Sequence, residues 1–148
     1  MNDYARAETN LRKAIEIRDK RNGTSDPELS NDLTILGNLC QVRGQSKEAM
    51  ELYQRAISIR EATNRDDLAL ISPLEQLGMM YQNMGRNDEA ESTFLRLLRL
   101  MEGHFGLSSP TLMDPLSKLA SLYHAMGKTA DEEQTQKRLR AIQTEAPK

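Results

Sequence analysis

The chain has a single cysteine, two histidines and no long apolar run. Cys40 alone cannot form an internal disulfide. The most leucine-rich stretch, LRLLRL at 95–100, is interrupted by Arg96 and Arg99, so no segment reads as a membrane span. Net charge is only −2, which supplies no broad basic field for nucleic acid or an anionic membrane surface. No HExxH, paired-cysteine spacing or glycine-rich phosphate loop occurs, so neither a metal nor a cofactor is expected. His104 lies beside Gly103 and Gly106 in a loop-like stretch, and His124 stands apart from it. Asp131, Glu132 and Glu133 are consecutive carboxylates at a helix start, where acidic side chains favour the helix dipole. A catalytic role is therefore not expected. Met1 leads straight into a charged amphipathic segment rather than a secretory leader, so the expected location is cytoplasmic. Hydrophobic content is 38%, low for a compact core and suited to a single layer of helices.

What is present is a repeat. Leu33, Leu36, Gly37 and Cys40 are followed by Gly44, Ala49, Tyr53 and Ala56. Leu74, Leu77, Gly78 and Tyr81 are followed by Gly85, Ala90, Phe94 and Leu97. Leu116, Leu119, Ala120 and Tyr123 are followed by Gly127 and a weaker second half. A fixed period of about 42 residues points to stacked helical units, each unable to bury its apolar face alone. Small residues at 37, 78 and 120 would let paired helices approach, and the aromatics Tyr53, Tyr81, Phe94 and Tyr123 would fill the space between pairs. These residues, with Leu36, Ala49, Leu77, Ala90 and Leu119, form the expected core. Cys40 takes the place of Tyr81 and Tyr123 and reads as a packing residue.

This order of residues resembles the tetratricopeptide repeat, in its longer kinesin light chain-like form. Strings such as KEAMELYQRAISIRE and DEAESTFLRLLRLME are similar to that family's second helix. The resemblance covers almost the whole chain. It implies an all-α fold, a right-handed superhelix of about seven antiparallel helices, in which the first helices line a concave groove. It also implies a non-catalytic protein-interaction module that binds a peptide or extended segment. By family geometry the groove would show Asn31, Thr34, Asn38 and Gln41, then Ser72, Glu75, Met79 and Gln82, then Asp114, Ser117, Ser121 and His124. This strip is mostly neutral and polar, and amides both donate to and accept from a peptide backbone. The chain departs from the family at the paired asparagines, whose places hold Thr34 and Ile35, Glu75 and Gln76, Ser117 and Lys118. A basic carboxylate clamp is also missing: Asn38 holds one of its positions, but Met79 and Ser121 hold others.

One domain is expected over 1–148: a half-repeat at 1–24, repeats at 25–65 and 66–107, and a last repeat at 108–148 ending in a capping helix. The expected helices are 3–21, 27–43, 46–62, 67–84, 87–103, 110–126 and 129–144. Asp26-Pro27 and Ser109-Pro110 place a capping side chain before a proline in the first turn. Ser46, Asn87 and Thr129 are expected to cap the second helices, Thr129 in a capping box with Glu132. Gly44, Gly85 and Gly127 should take the left-handed conformation that ends the first helices. Pro73 and Pro115 fall inside first helices and should bend them. In the last helix Glu132 and Gln136 replace the apolar pair Ala49 and Tyr53, as suits a terminal unit. Without a partner half-repeat, the first helix should expose an apolar strip at Tyr4, Leu11 and Ile15. Self-association through that strip is the alternative role, that of an assembly scaffold. Residues 25–106 carry 13 acidic against 8 basic side chains, whereas 1–24 carry 4 against 6.

Overall fold

The computed structural model describes residues 2–22, 26–64 and 67–145, with side chains described at 5–21, 26–64 and 67–144. Among the described residues there are seven α-helices and no strand. They are α1 (Asn2–Asn22), α2 (Pro27–Val42), α3 (Ser46–Thr63), α4 (Ile71–Asn83), α5 (Asn87–Phe105), α6 (Met113–Met126) and α7 (Thr129–Glu145). Single 3₁₀ turns, Leu68–Leu70 and Pro110–Leu112, lead into α4 and α6. The chain forms two compact units, Met1–Pro73 and Leu74–Lys148.

Glycines at positive φ end α2, α4 and α6: Gly44 at 77°, Gly85 at 71° and Gly127 at 70°. The residue after each glycine then closes one helix and opens the next. Gln45 N–H donates to the Cys40 carbonyl at 2.8 Å, and Gln45 C=O accepts from Ala49 at 3.0 Å. Arg86 repeats this with Tyr81 and Ala90, and Lys128 with Tyr123 and Glu132. The backbone thus caps both helices through one residue. This corrects the expected side-chain caps: Ser46, Asn87 and Thr129 are the first helical residues, and Gln45 and Arg86 precede α3 and α5 without a side-chain cap bond. Glu132 does not reach back to Thr129; its carboxylate meets His124 and Gln136. The expected caps at Asp26 and Ser109 are present, accepting from Glu28 N–H at 2.9 Å and Thr111 N–H at 3.4 Å.

The expected bends at Pro73 and Pro115 are also corrected. Each proline is the third residue of its α-helix, behind a 3₁₀ turn. The first four N–H groups of an α-helix have no acceptor within it, so a proline there removes no intrahelical bond. Asp67 starts the first of these turns by accepting from Ala69 N–H at 2.8 Å.

Packing explains the small residues. A Cβ on Gly37 would stand 2.7 Å from Tyr53 Cε1, and one on Gly78 would stand 2.5 Å from Phe94 Cε1. Both rings are fully buried. In the third repeat Ala120 stands at the position of Gly37 and Gly78, and Gln136 at that of Tyr53 and Phe94. The expected core residues are all buried, Cys40 among them. Each buried apolar side chain contributes roughly 1.5–3 kcal/mol.

In the first unit α1 packs on α2 and is clamped by ion pairs. Arg43, the residue after α2, meets Glu8, Arg18 Nε lies 2.8 Å from Asp32 Oδ2, and Arg12 reaches Glu48 at 2.7 Å. Arg55 on α3 pairs with Asp19. This packing overturns the expected apolar strip. Ile15 is buried and Leu11 is half-buried within the unit, while the Tyr4 side chain lies outside the described residues.

Candidate functional site

On α2, Asn31, Thr34, Asn38 and Gln41 follow one another at three- and four-residue spacing and share one face. Each is held by a specific neighbour. The buried Tyr53 hydroxyl lies 2.7 Å from Asn38 Oδ1 and 2.9 Å from Gln41 Oε1. Burial, and secondarily the neighbouring Cys40, pushes its pKa up to about 12, so the phenol keeps its proton. It has one proton and donates to one amide at a time. With their oxygens turned to the phenol, the amides aim their NH2 groups away from it. Asn38 is exposed.

Asn31 Oδ1 accepts from Arg60 Nη2 at 2.7 Å, and Arg60 Nη1 meets Asp67 Oδ2 at 2.7 Å. Arg60 is only 8% exposed, so two oxygen partners compensate its lost hydration. Asn31 is therefore partly committed to structure. Thr34 donates its hydroxyl proton to the Ser30 carbonyl at 2.9 Å. Ser72, in the first turn of α4, is exposed.

The second unit has different chemistry. Phe94 replaces Tyr53 and has no hydroxyl; Met79 stands where Asn38 stands. The oriented amide pair therefore belongs to the first unit. Glu75 on α4 and Asp114 on α6 are joined by Lys118, whose Nζ lies 2.8 Å from Glu75 Oε1 and also meets Asp114. Burial opposes the charge on Lys118, but hydrogen bonds to Asp114 and Glu75 outweigh it and raise its pKa. The two acidic residues of the otherwise neutral strip, Glu75 and Asp114, are thus brought together here by Lys118. Ser117 donates to the Met113 carbonyl at 2.7 Å, and Ser121 is exposed. His124 Nδ1 lies 3.2 Å from Glu132 Oε2 with its ring largely in solvent. Gln82 is half-buried.

Two groups escaped the sequence reading. Tyr53 was assigned only to the core, although its pairing with Asn38, set against Phe94 with Met79, carried the signal. The second is a stacked cation: Arg86 lies 4.6 Å from the Tyr81 ring and Lys128 lies 5.9 Å from the Tyr123 ring. The glycine turn brings residues five apart together, so aromatic-x4-basic ending on the residue after the glycine marks it. Lys128 also reaches Glu91 at 2.5 Å. Among the described residues no cluster of histidine, cysteine or carboxylate could hold a metal, and no helix is long and apolar enough to cross a membrane.

The model of the tetratricopeptide repeat family matches residues 1–62 and 70–145. No curated protein matches the chain by sequence. Among solved structures it is similar to BtubC (BKLC) from P. vanneervenii, with a TM-score of 0.85 and 20% identity, over 99% of this chain and 58% of that one. The chain thus spans little more than half of that protein. It is also similar to a Podosopora anserina protein of nearly identical TPR-like repeats, with a TM-score of 0.76 and 21% identity, over 99% of this chain and 71% of that one. At these identities the likeness concerns the fold.

Proposed function

Because the chain belongs to the tetratricopeptide repeat family, we propose that it is a non-catalytic protein-binding module. Its recognition element is the exposed face of α2. The observation that carries this reading is the buried Tyr53 hydroxyl between the Asn38 and Gln41 amides. Side chains held in place by a buried partner lose less entropy on binding than free ones. Their outward NH2 groups match the carbonyls of an extended peptide. Lys118 bridges Glu75 and Asp114 and offsets one of their two charges, which suits structural support within the unit.

The test is selection from a random peptide library with the wild type beside Asn38→Ala/Gln41→Ala. The reading expects the double variant to lose the selected peptides and to keep its helicity. Equal recovery of the same peptides by both proteins would refute it.

A further inference from the structure

In the second unit α5, α6 and α7 enclose a hollow of about 210 Å³. Leu116, Leu119 and Tyr123 of α6 line it, with Leu95 and Leu98 from α5 and Asp131 and Thr135 from α7. Along α5 an ion pair stands before and after these two leucines. Lys128 Nζ lies 2.5 Å from Glu91 Oε2, and Arg138 Nη1 lies 2.5 Å from Glu102 Oε1. The first unit has the same seam between α1 and α3. Its Asp19–Arg55 pair corresponds to Glu102–Arg138, which fixes the register. In that register Arg12 holds the place of Leu95, and Glu48 and Leu52 hold those of Asp131 and Thr135. Arg12 Nη2 lies 2.7 Å from Glu48 Oε1, so a guanidinium crosses the seam there and meets the carboxylate. In the second unit the carboxylate remains, but leucine replaces the arginine and the shorter threonine replaces the leucine. Among the described residues the Asp131 carboxylate has no hydrogen-bond or ion-pair partner. Lys128 feels its charge but bonds to Glu91, and Arg138 is engaged by Glu102 and the Leu107 carbonyl. Thr135 donates its hydroxyl proton to the Asp131 backbone carbonyl at 2.7 Å.

We propose that this hollow binds a guanidinium group carried on an apolar stem, the chemistry of an arginine side chain. The guanidinium pairs with Asp131 as Arg12 pairs with Glu48, and the stem lies against the leucines where Thr135 leaves room. Pockets for drug-sized ligands measure about 300–1,000 Å³, so 210 Å³ limits the occupant to the size of a side chain. A planar guanidinium also stacks on an aromatic ring such as Tyr123, which favours it over an ammonium. Asp131 is exposed at the rim, so it selects the charge and salt reaches it, while burial of the stem adds affinity. The site lies within the second unit and does not depend on the reading of α2.

The probe is butylguanidinium, titrated into the full chain with its leucine methyl groups labelled with carbon-13. It is expected to shift the methyls of Leu95, Leu98, Leu116 and Leu119 along one curve, weakened by added salt. Butylurea, of the same shape without the charge, should bind about fivefold more weakly, and Asp131→Asn should weaken butylguanidinium by about the same factor. Thr135→Leu gives α7 the residue that α3 has. It should fill the hollow and abolish binding, with the wild-type helicity and a urea midpoint no lower. Leu95→Arg supplies the guanidinium from within the chain, as Arg12 does, and should also abolish binding. A second titration with Nα-acetyl-arginine methylamide separates the sources of the ligand. The same shifts would support an arginine of a polypeptide, and their absence would support a free guanidine. Leucine methyls unmoved by butylguanidinium would overturn the proposal. So would equal binding of butylurea, an unchanged affinity in Asp131→Asn, or binding that survives Thr135→Leu.

Discussion

Replacing Gly78 by alanine should destabilise the protein, although alanine is the better helix former. A Cβ there would stand 2.5 Å from Phe94 Cε1, 2.8 Å from Cδ1 and 3.0 Å from Cζ. Ordinary carbon contacts are about 3.5–4 Å, so the overlap is roughly 1 Å. Phe94 is fully buried. Overpacking of this kind costs about 1–3 kcal/mol. The gain in helix propensity is about 1 kcal/mol. The net loss should be up to about 2 kcal/mol, read from urea denaturation at 222 nm with an unchanged m-value. In a Phe94→Leu background the ring is gone, and the same substitution should become neutral or stabilising by up to about 1 kcal/mol. Gly78→Leu should be worse than Gly78→Ala. A raised urea midpoint for Gly78→Ala in the Phe94 background would refute the close approach of α4 and α5. At the third repeat the sign reverses: Ala120→Gly should destabilise by about 0.5–1 kcal/mol, since α7 presents no ring.

Asp67→Ala removes a partner of the nearly buried Arg60 and a cap of the 3₁₀ turn; it should cost about 2–3 kcal/mol in urea denaturation. Asp114 has a lowered pKa: burial alone would raise it, but hydrogen bonds with Lys118 and Glu75 outweigh that. Its contribution to stability is therefore complete above the unfolded value of about 3.9 and is lost as pH falls through the lower folded value. Lys118→Met should flatten that acid limb of the urea midpoint against pH; an unaltered limb would show that the pair does not form. Cys40 is fully buried and its thiol pKa is raised, chiefly by burial, so alkylation by a maleimide should be slow in the native chain and fast in urea. Rapid native labelling would contradict the packing of α2.

The helices were legible because each first helix ends at a glycine and the apolar spacing recurs three times. Their boundaries match the sequence reading within about three residues, apart from the 3₁₀ turns ahead of α4 and α6. Those turns escaped notice because each proline was read as a bend inside a longer helix, although at the third position its missing N–H costs no bond. The caps at Ser46, Asn87 and Thr129 were misplaced because the backbone of the preceding residue already caps both helices, leaving the hydroxyl and amide groups nothing to satisfy. The α2 face was legible as a row of polar residues at helical spacing. Its organisation by Tyr53 was not, because a core aromatic and a surface amide were considered separately. Lys118 was noted only as a departure from the asparagine pair, and its bridge to Glu75 spans two helices, which no local spacing reveals. Ile15 was expected on the surface of the first helix, but it is buried within the first unit.

The most direct test of the proposed recognition face is a peptide titration monitored by the side-chain amide resonances of Asn38 and Gln41 in nitrogen-15 spectra. With a peptide selected by the wild type, both NH2 groups should shift together along one binding curve that changes little with salt. In Tyr53→Phe the amides lose their buried anchor, the same peptide should bind more weakly, and the two shifts should shrink together. Saturation that leaves the Asn38 and Gln41 resonances unmoved, or a Tyr53→Phe curve identical to the wild type, would contradict the account.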